Sequence, residues 1–236
     1  MEFQSIQREV APWADLVAVC GIKGEIIPQV TLSDGVILGG SGDLDFDGAR
    51  LPEDEVRAQT KQVFEMMAPV LDHLFTEDLP TFGICFGHQM LGAFRGSLVY
   101  HDSMQSKQKT HTVILQPEGQ DHRLCSELPV SFAAQYGHKD VLAHIPDGAI
   151  LLAHGGEACR ISALAYSSHI VSTQFHPELT LADMHERVAT ISSYLPEGVV
   201  VDDVYQDTPY AQTWLHNFAR MVAVERVGGR DSVTSY

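Results

Sequence analysis

Apolar and polar residues follow two rhythms along this chain. Val36-Ile37-Leu38 is a short apolar run that enters the glycine-rich Gly39-Gly40-Ser41-Gly42-Asp43, the pattern of a buried strand ending in a loop. From Pro52 to Phe75 the apolar residues Val56, Val63, Met67, Val70, Leu71 and Leu74 recur at helical spacing. They follow an acidic first turn of Glu53, Asp54 and Glu55, which suits the positive end of a helix dipole. Residues 80–84 then read as a strand and Phe86 to Phe94 as a helix, with Cys85 between them. In the middle of the chain the rhythm shortens. Runs at 111–116, 130–135, 149–153, 161–166 and 170–175 are rich in Val, Ile, Leu and Phe and separated by Pro, Gly or Asp, which predicts successive strands.

Two helices follow. Thr180 caps one that carries Leu181, Met184, Val188 and Ile191. Thr208-Pro209 opens the other, with Tyr210, Trp214, Phe218 and Val222 at fourfold spacing, and Gly228-Gly229 ends it. The expectation is a single domain over residues 1–228 and a flexible tail over 229–236. The start is harder to place. Met1 to Ile6 is polar and a poor central strand, whereas Asp15 to Gly21 is a better candidate that falls where a second strand belongs. A first strand is therefore expected to be abbreviated or absent from this start. Strands alternating with helices, then strands, then helices, predict an α/β fold with a central mixed sheet.

Composition narrows the function. The chain has 236 residues, 44% of them hydrophobic, enough for a sizeable core. Fifteen Lys and Arg against 31 Asp and Glu give a formal charge of −16, which repels phosphate backbones and anionic lipid, so neither nucleic acid nor a membrane surface is an expected partner. No apolar stretch is long enough for a membrane span, and the first residues lack the basic and apolar regions of a signal peptide. The four cysteines (Cys20, Cys85, Cys125, Cys159) are scattered like cytosolic thiols, which makes a cytoplasmic location the expectation. Twelve histidines raise the question of a metal. His138 and His144, or His185 with Glu186, make no consistent three- or four-ligand set, so neither a metal nor another cofactor is expected.

The chemistry concentrates at Cys85. Gly83-Ile84-Cys85-Phe86-Gly87 has the spacing of a nucleophile elbow with cysteine in the central position. A strand that turns directly into a helix forces its central residue into a strained conformation, and only glycines two residues before and after leave room for the turn. The positive end of the following helix stabilises a thiolate. Residues 170–178, Ile-Val-Ser-Thr-Gln-Phe-His-Pro-Glu, read as a strand ending in a candidate base. Positions i and i+2 of an extended chain face the same side, so Glu178 is placed to orient the His176 ring.

Together, Gly-Ile-Cys-Phe-Gly-His-Gln at 83–89 and Gln-Phe-His-Pro-Glu at 174–178 resemble the triad-type, class I glutamine amidotransferases, and within them the GMP-synthetase-like group. The resemblance covers roughly residues 30 to 195. It implies a three-layer α/β fold of flavodoxin-like kind, with a mainly parallel or mixed sheet flanked by helices. It also implies hydrolysis of the glutamine side-chain amide to glutamate and ammonia, the ammonia passing to a synthase domain or subunit. Carried over residue by residue, it makes Cys85 the nucleophile, His176 the general base and acid, and Glu178 the orienter. Gly40 and Phe86 then supply oxyanion-hole N–H groups and Gln89 contacts substrate glutamine; His88 matches a residue usually found at that position and reads as packing rather than chemistry. The stretch Gln135-Tyr136-Gly137-His138-Lys139-Asp140-Val141 resembles the family segment whose backbone holds the α-amino and α-carboxylate groups, with one extra residue between Gln and His; Gln135 and Tyr136 are candidate binders. No phosphate-loop signature and no acceptor domain is recognisable, so a separate ammonia-accepting synthase subunit is the expected partner.

Two other readings use the same residues. A thiol hydrolase cleaving γ-glutamyl amides or peptides would need the same triad, and substrate profiling separates it from a glutaminase. A silent binding module is the third reading, against which the intact Cys85, His176 and Glu178 speak.

Overall fold

Thr81–Ile84 is buried at all four positions because it lies inside the sheet with helices on both faces. The computed structural model describes residues 2–20, 30, 33–190, 195 and 198–231. Its strands are β1 (Val36–Leu38), β2 (Thr81–Ile84), β3 (Val99–His101), β4 (Lys107–Leu115), β5 (Ser131–His138), β6 (Asp140–Leu142), β7 (Ile150–His154), β8 (Ala163–Ala165) and β9 (Ile170–Thr173). Its α-helices are α1 (Glu2–Val10), α2 (Glu55–Thr76), α3 (Phe86–Phe94), α4 (Pro117–Gln120), α5 (Leu181–Thr190), α6 (Val201–Val204) and α7 (Thr213–Asp231).

The main sheet has seven strands in the order β1-β2-β9-β8-β7-β4-β5. β1, β2 and β9 run parallel, and every pairing beyond β9 is antiparallel, so the sheet is mixed. The antiparallel pair β3–β6 forms a small second sheet. One face of the main sheet packs Phe82, Ile84 and Val171 against Ile6 and Val10 of α1 and Trp214, Leu215 and Phe218 of α7. On the other face, α2 and α3 bury Val70, Leu71, Leu74, Met90 and Leu91 with Leu38 and Ile170. These are the three layers expected of the fold. α2 starts where Asp54 accepts a hydrogen bond from the Val56 N–H at 2.9 Å, a side-chain cap for an otherwise unpaired donor.

At the amino end no described strand precedes β1, in line with an absent first strand, but residues 15–20 do not form the strand expected there. The carboxyl-terminal helix runs past its expected end. Residues 2–10 form a helix: Ser5, Ile6, Glu9 and Val10 are buried at a spacing of about one turn, while Glu2 and Arg8 lie in the first and last turns. Asp15 to Cys20 has no regular structure, and Gly21 lies outside the described residues. No described strand therefore pairs with the outer side of β1. At the other end, the segment after Thr208-Pro209 makes turns before α7 begins at Thr213, and α7 runs through Gly228-Gly229 to Asp231. Ile191 and residues 232–236 lie outside the described residues, so the expected tail is described only at its first positions, where it is helical. Among the described residues no helix is long and apolar enough to cross a membrane.

Candidate active site

The three parallel strands all end at the same edge of the sheet, and each delivers one part of the site. β2 delivers Cys85. Its backbone has φ 50° and ψ −97°, a conformation that costs a residue with a Cβ about 1–3 kcal/mol. Two hydrogen bonds hold it there, Cys85 N–H to the Thr173 carbonyl at 2.8 Å and Gln89 N–H to the Cys85 carbonyl at 3.1 Å. The flanking glycines are sterically required. A Cβ on Gly87 would lie 2.1 Å from the Leu38 carbonyl oxygen, and one on Gly83 would lie 2.9 Å from Gly87 backbone atoms. The elbow thus sits directly on the chain leaving β1.

β9 delivers His176 and Glu178. His176 Nδ1 lies 2.6 Å from Glu178 Oε1, with both side chains almost wholly buried. The His176 N–H donates to the Gln135 carbonyl at 2.9 Å, which ties this turn to β5. Burial by itself opposes a charged ring. The nearby Glu178 carboxylate and Cys85 side chain outweigh it and hold the imidazole pKa well above its usual value. Gln174 Nε2 lies 3.7 Å from Cys85 Sγ, a sulfur contact on the same side.

β1 delivers the glycine loop. Gly39 C=O accepts from the Gly87 N–H at 3.1 Å, so the Gly39–Gly40 peptide is fastened to the first turn of α3. A Cβ on Gly40 would sit 3.2 Å from His176 Cε1, so this peptide passes directly beside the imidazole. The Gly40 N–H is already engaged: it donates to Glu2 Oε1 of α1.

The remaining candidates divide. Gln89 is buried and donates from Nε2 to the Asp140 carbonyl at 2.7 Å and, more weakly, to Gln174 Oε1 at 3.4 Å. Gln135 and Tyr136 have side chains committed to internal bonds. Gln135 accepts from Thr110 Oγ1 at 2.7 Å and donates to the Gln206 carbonyl at 2.8 Å, and the Tyr136 hydroxyl pairs with Ser162 Oγ at 2.9 Å. His88 is buried against Ser172 Oγ at 2.7 Å, and burial lowers its pKa to about 3, so it is a neutral packing residue. Among the described residues no group of three or more His, Cys, Asp or Glu side chains is placed to hold a metal ion.

Three features went unread in the sequence. Asp140 accepts from the N–H groups of Asp47 and Gly48, both at 2.7 Å, which pins the loop after β1. Gln174 lies inside the quoted Gln-Phe-His-Pro-Glu motif but had no role there. Glu2 carries no local signal at all, since its contact joins the first helix to a loop far along the chain.

The fold and the site define a class, α/β proteins with a Cys-His-Glu constellation at the carboxyl edge of parallel strands. The family model "Glutamine amidotransferase class-I" matches residues 52–191, and the chain belongs to that family. It is 27% identical over 165 residues to a GMP synthase [glutamine-hydrolyzing] subunit of Methanopyrus kandleri, an alignment covering 69% of this chain and 80% of that one. It is 28% identical over 223 residues to the GMP synthase [glutamine-hydrolyzing] of Caldicellulosiruptor saccharolyticus, covering 92% of this chain and only 40% of that longer enzyme. A solved glutamine amidotransferase from Thermotoga maritima shares the fold, with TM-score 0.71, 18% identity, and coverage of 94% of this chain and 91% of that one.

Proposed function

We propose that this chain hydrolyses the side-chain amide of glutamine to glutamate and ammonia, and that the ammonia serves an acceptor on a separate synthetase subunit. The observation that carries the reading is the meeting of a strained elbow cysteine with a buried, carboxylate-oriented histidine at 2.6 Å from its orienter. In this reading His176 holds the proton of Cys85, and the thiolate adds to the amide carbon. The N–H groups of Gly40 and Phe86 receive the oxyanion, and such donors are each worth roughly 10²–10³ in rate. His176 then protonates the departing nitrogen, the C–N bond breaks, and a γ-glutamyl thioester and ammonia result. Water, deprotonated by the same ring, attacks the thioester and releases glutamate and the thiol. The relatives named as subunits of GMP synthase support a synthetase partner of that kind.

The test is alkylation by the glutamine analogue 6-diazo-5-oxo-norleucine, with peptide mapping and a glutamate assay. Labelling confined to Cys85, with loss of turnover, is the expected result. Labelling shared equally with Cys125 or Cys159 would reject the elbow assignment. Poor glutamine turnover with fast cleavage of a γ-glutamyl conjugate would replace glutamine by that substrate class.

A further inference from the structure

Helix α1 spans two parts of the site. At its far end Arg8 donates to the Glu178 carbonyl at 3.0 Å and forks onto Asp183 Oδ1 and Oδ2 at 3.0 and 2.9 Å. Ser5 Oγ adds a bond to Asp183 at 3.1 Å, and Glu9 meets His216 of α7 at 2.9 Å. Ile6 and Val10 are buried between these polar anchors. At the near end Glu2 reaches into the loop after β1. Its Oε1 accepts the Gly40 N–H and lies 2.9 Å from where a Gly39 Cβ would be, so the carboxylate packs directly on the Gly39–Gly40 peptide. Its other oxygen, Oε2, lies 3.9 Å from the Arg187 guanidinium of α5.

We infer that Glu2 is a gating residue: its carboxylate occupies the Gly40 N–H in place of the reaction's oxyanion, and hydrolysis requires that carboxylate to withdraw. The inference rests on the hydrolytic reading above. A carboxylate oxygen is an anionic acceptor, as the tetrahedral oxygen is, so it competes for the same donor through a charge-assisted bond. The peptide is also held from both sides, by Gly87 N–H on its carbonyl and Glu2 on its N–H, and cannot turn without losing one bond. The plug is poised to release. Burial and the nearby negative charge of Glu178 both disfavour the ionised form and raise its pKa, against the opposing pull of His176, the Gly40 N–H and Arg187. The side chain is still 25% exposed, so it is reachable from outside the site. Such a gate limits hydrolysis while no acceptor is engaged.

The test compares the intact chain with Glu2→Ala, Glu2→Asp and Glu2→Gln, each checked for fold by circular dichroism. Glu2→Ala is expected to raise kcat for glutamine by about tenfold or more, with KM little changed, because the freed donor acts in the transition state. Glu2→Asp, one methylene too short to reach, is expected to follow Glu2→Ala. Glu2→Gln, which keeps the reach and a neutral acceptor, is expected to fall between Glu2→Ala and the parent. Amide exchange supplies a readout independent of turnover: the Gly40 N–H is expected to exchange faster in Glu2→Ala. Unchanged exchange, or an unchanged or lower kcat while Cys85 is still labelled by the glutamine analogue, overturns the gate alone. No labelling and no turnover in any variant overturns the hydrolytic reading and the gate with it.

Discussion

Cys85 carries a conformation that its own Cβ opposes, and the surrounding hydrogen bonds to Thr173 and Gln89 keep it there. Removing the thiol in two ways separates chemistry from strain. Both Cys85→Ala and Cys85→Gly are expected to lose turnover, while Cys85→Gly is expected to be the more stable by about 1 kcal/mol, since glycine accepts positive φ without steric cost. Thermal unfolding of the two variants measures the difference. At His176 the expected effects are graded. On the proposed function, His176→Ala is expected to remove the base and nearly all turnover, whereas Glu178→Gln, which keeps the shape and loses the charge, is expected to lower turnover less. NMR titration of the His176 ring should show its raised pKa falling in Glu178→Gln, because that carboxylate is the strongest influence raising it. An unmoved value would mean that another group orients the ring. These residues were legible in the sequence because each belongs to a short contiguous motif whose spacing has a local mechanical cause. Glu2 was not, because its role arises only where α1 crosses the loop after β1.

The helix α1 shows why elements with strong local patterns were read and others missed. Its buried positions, Ser5, Ile6, Glu9 and Val10, include two polar residues, so no apolar stripe marks the helix. Their polarity is matched by partners on α5 and α7, which a one-dimensional pattern does not contain. β3 and β6 were missed for a different reason: Val-Tyr-His and Asp-Val-Leu mix polar with apolar residues over three positions, unlike the wholly apolar Val36–Leu38 of β1. By contrast α3 has the bounds read from the sequence, Phe86–Phe94, because the elbow fixes its start. The docking of α1 has a pH signature. Asp183 is partly desolvated, which raises its pKa, but Arg8 and Thr180 outweigh this and bring it down to about 2. A carboxylate depressed in the folded state stabilises it above the unfolded value near 3.8 and stops doing so as pH falls through about 2. Protection of the α1 amides from hydrogen exchange is therefore expected to fall over this acid range, and to depend less on pH in Arg8→Ala. Equal pH dependence in both proteins would remove Arg8 from that account.

For the molecule as a whole, the buried histidines His88 and His138 are expected to begin lowering stability at a higher pH than Asp183 does. Burial brings both His88 and His138 down to about 3, so they are neutral when folded, yet take up protons near 6.5 when unfolded. Their contribution is present above about 6.5 and is lost progressively as pH falls toward 3. His176 behaves oppositely: its raised pKa stabilises the fold fully below 6.5 and loses that effect at higher pH, so it does not offset the acid loss as pH drops further. Denaturant titrations are expected to show falling stability from pH 6.5 downward, with a shallower decline in His88→Gln if the fold is kept. A flat profile over that range would contradict neutral burial.

The parallel pairing of Thr81 with Ile170 also sets a timetable. β2 cannot complete its second edge until the chain has closed a loop containing β3 to β8, and such long-range contacts are slow to form because the loop's entropy is lost before the pairing rewards it. During synthesis the cysteine emerges well before the histidine strand it will lie beside. Until β9 arrives, Cys85 lacks both the neighbouring His176 and the Thr173 carbonyl that anchors the elbow. On the proposed function, reactivity at Cys85 is thereby coupled to completion of the fold.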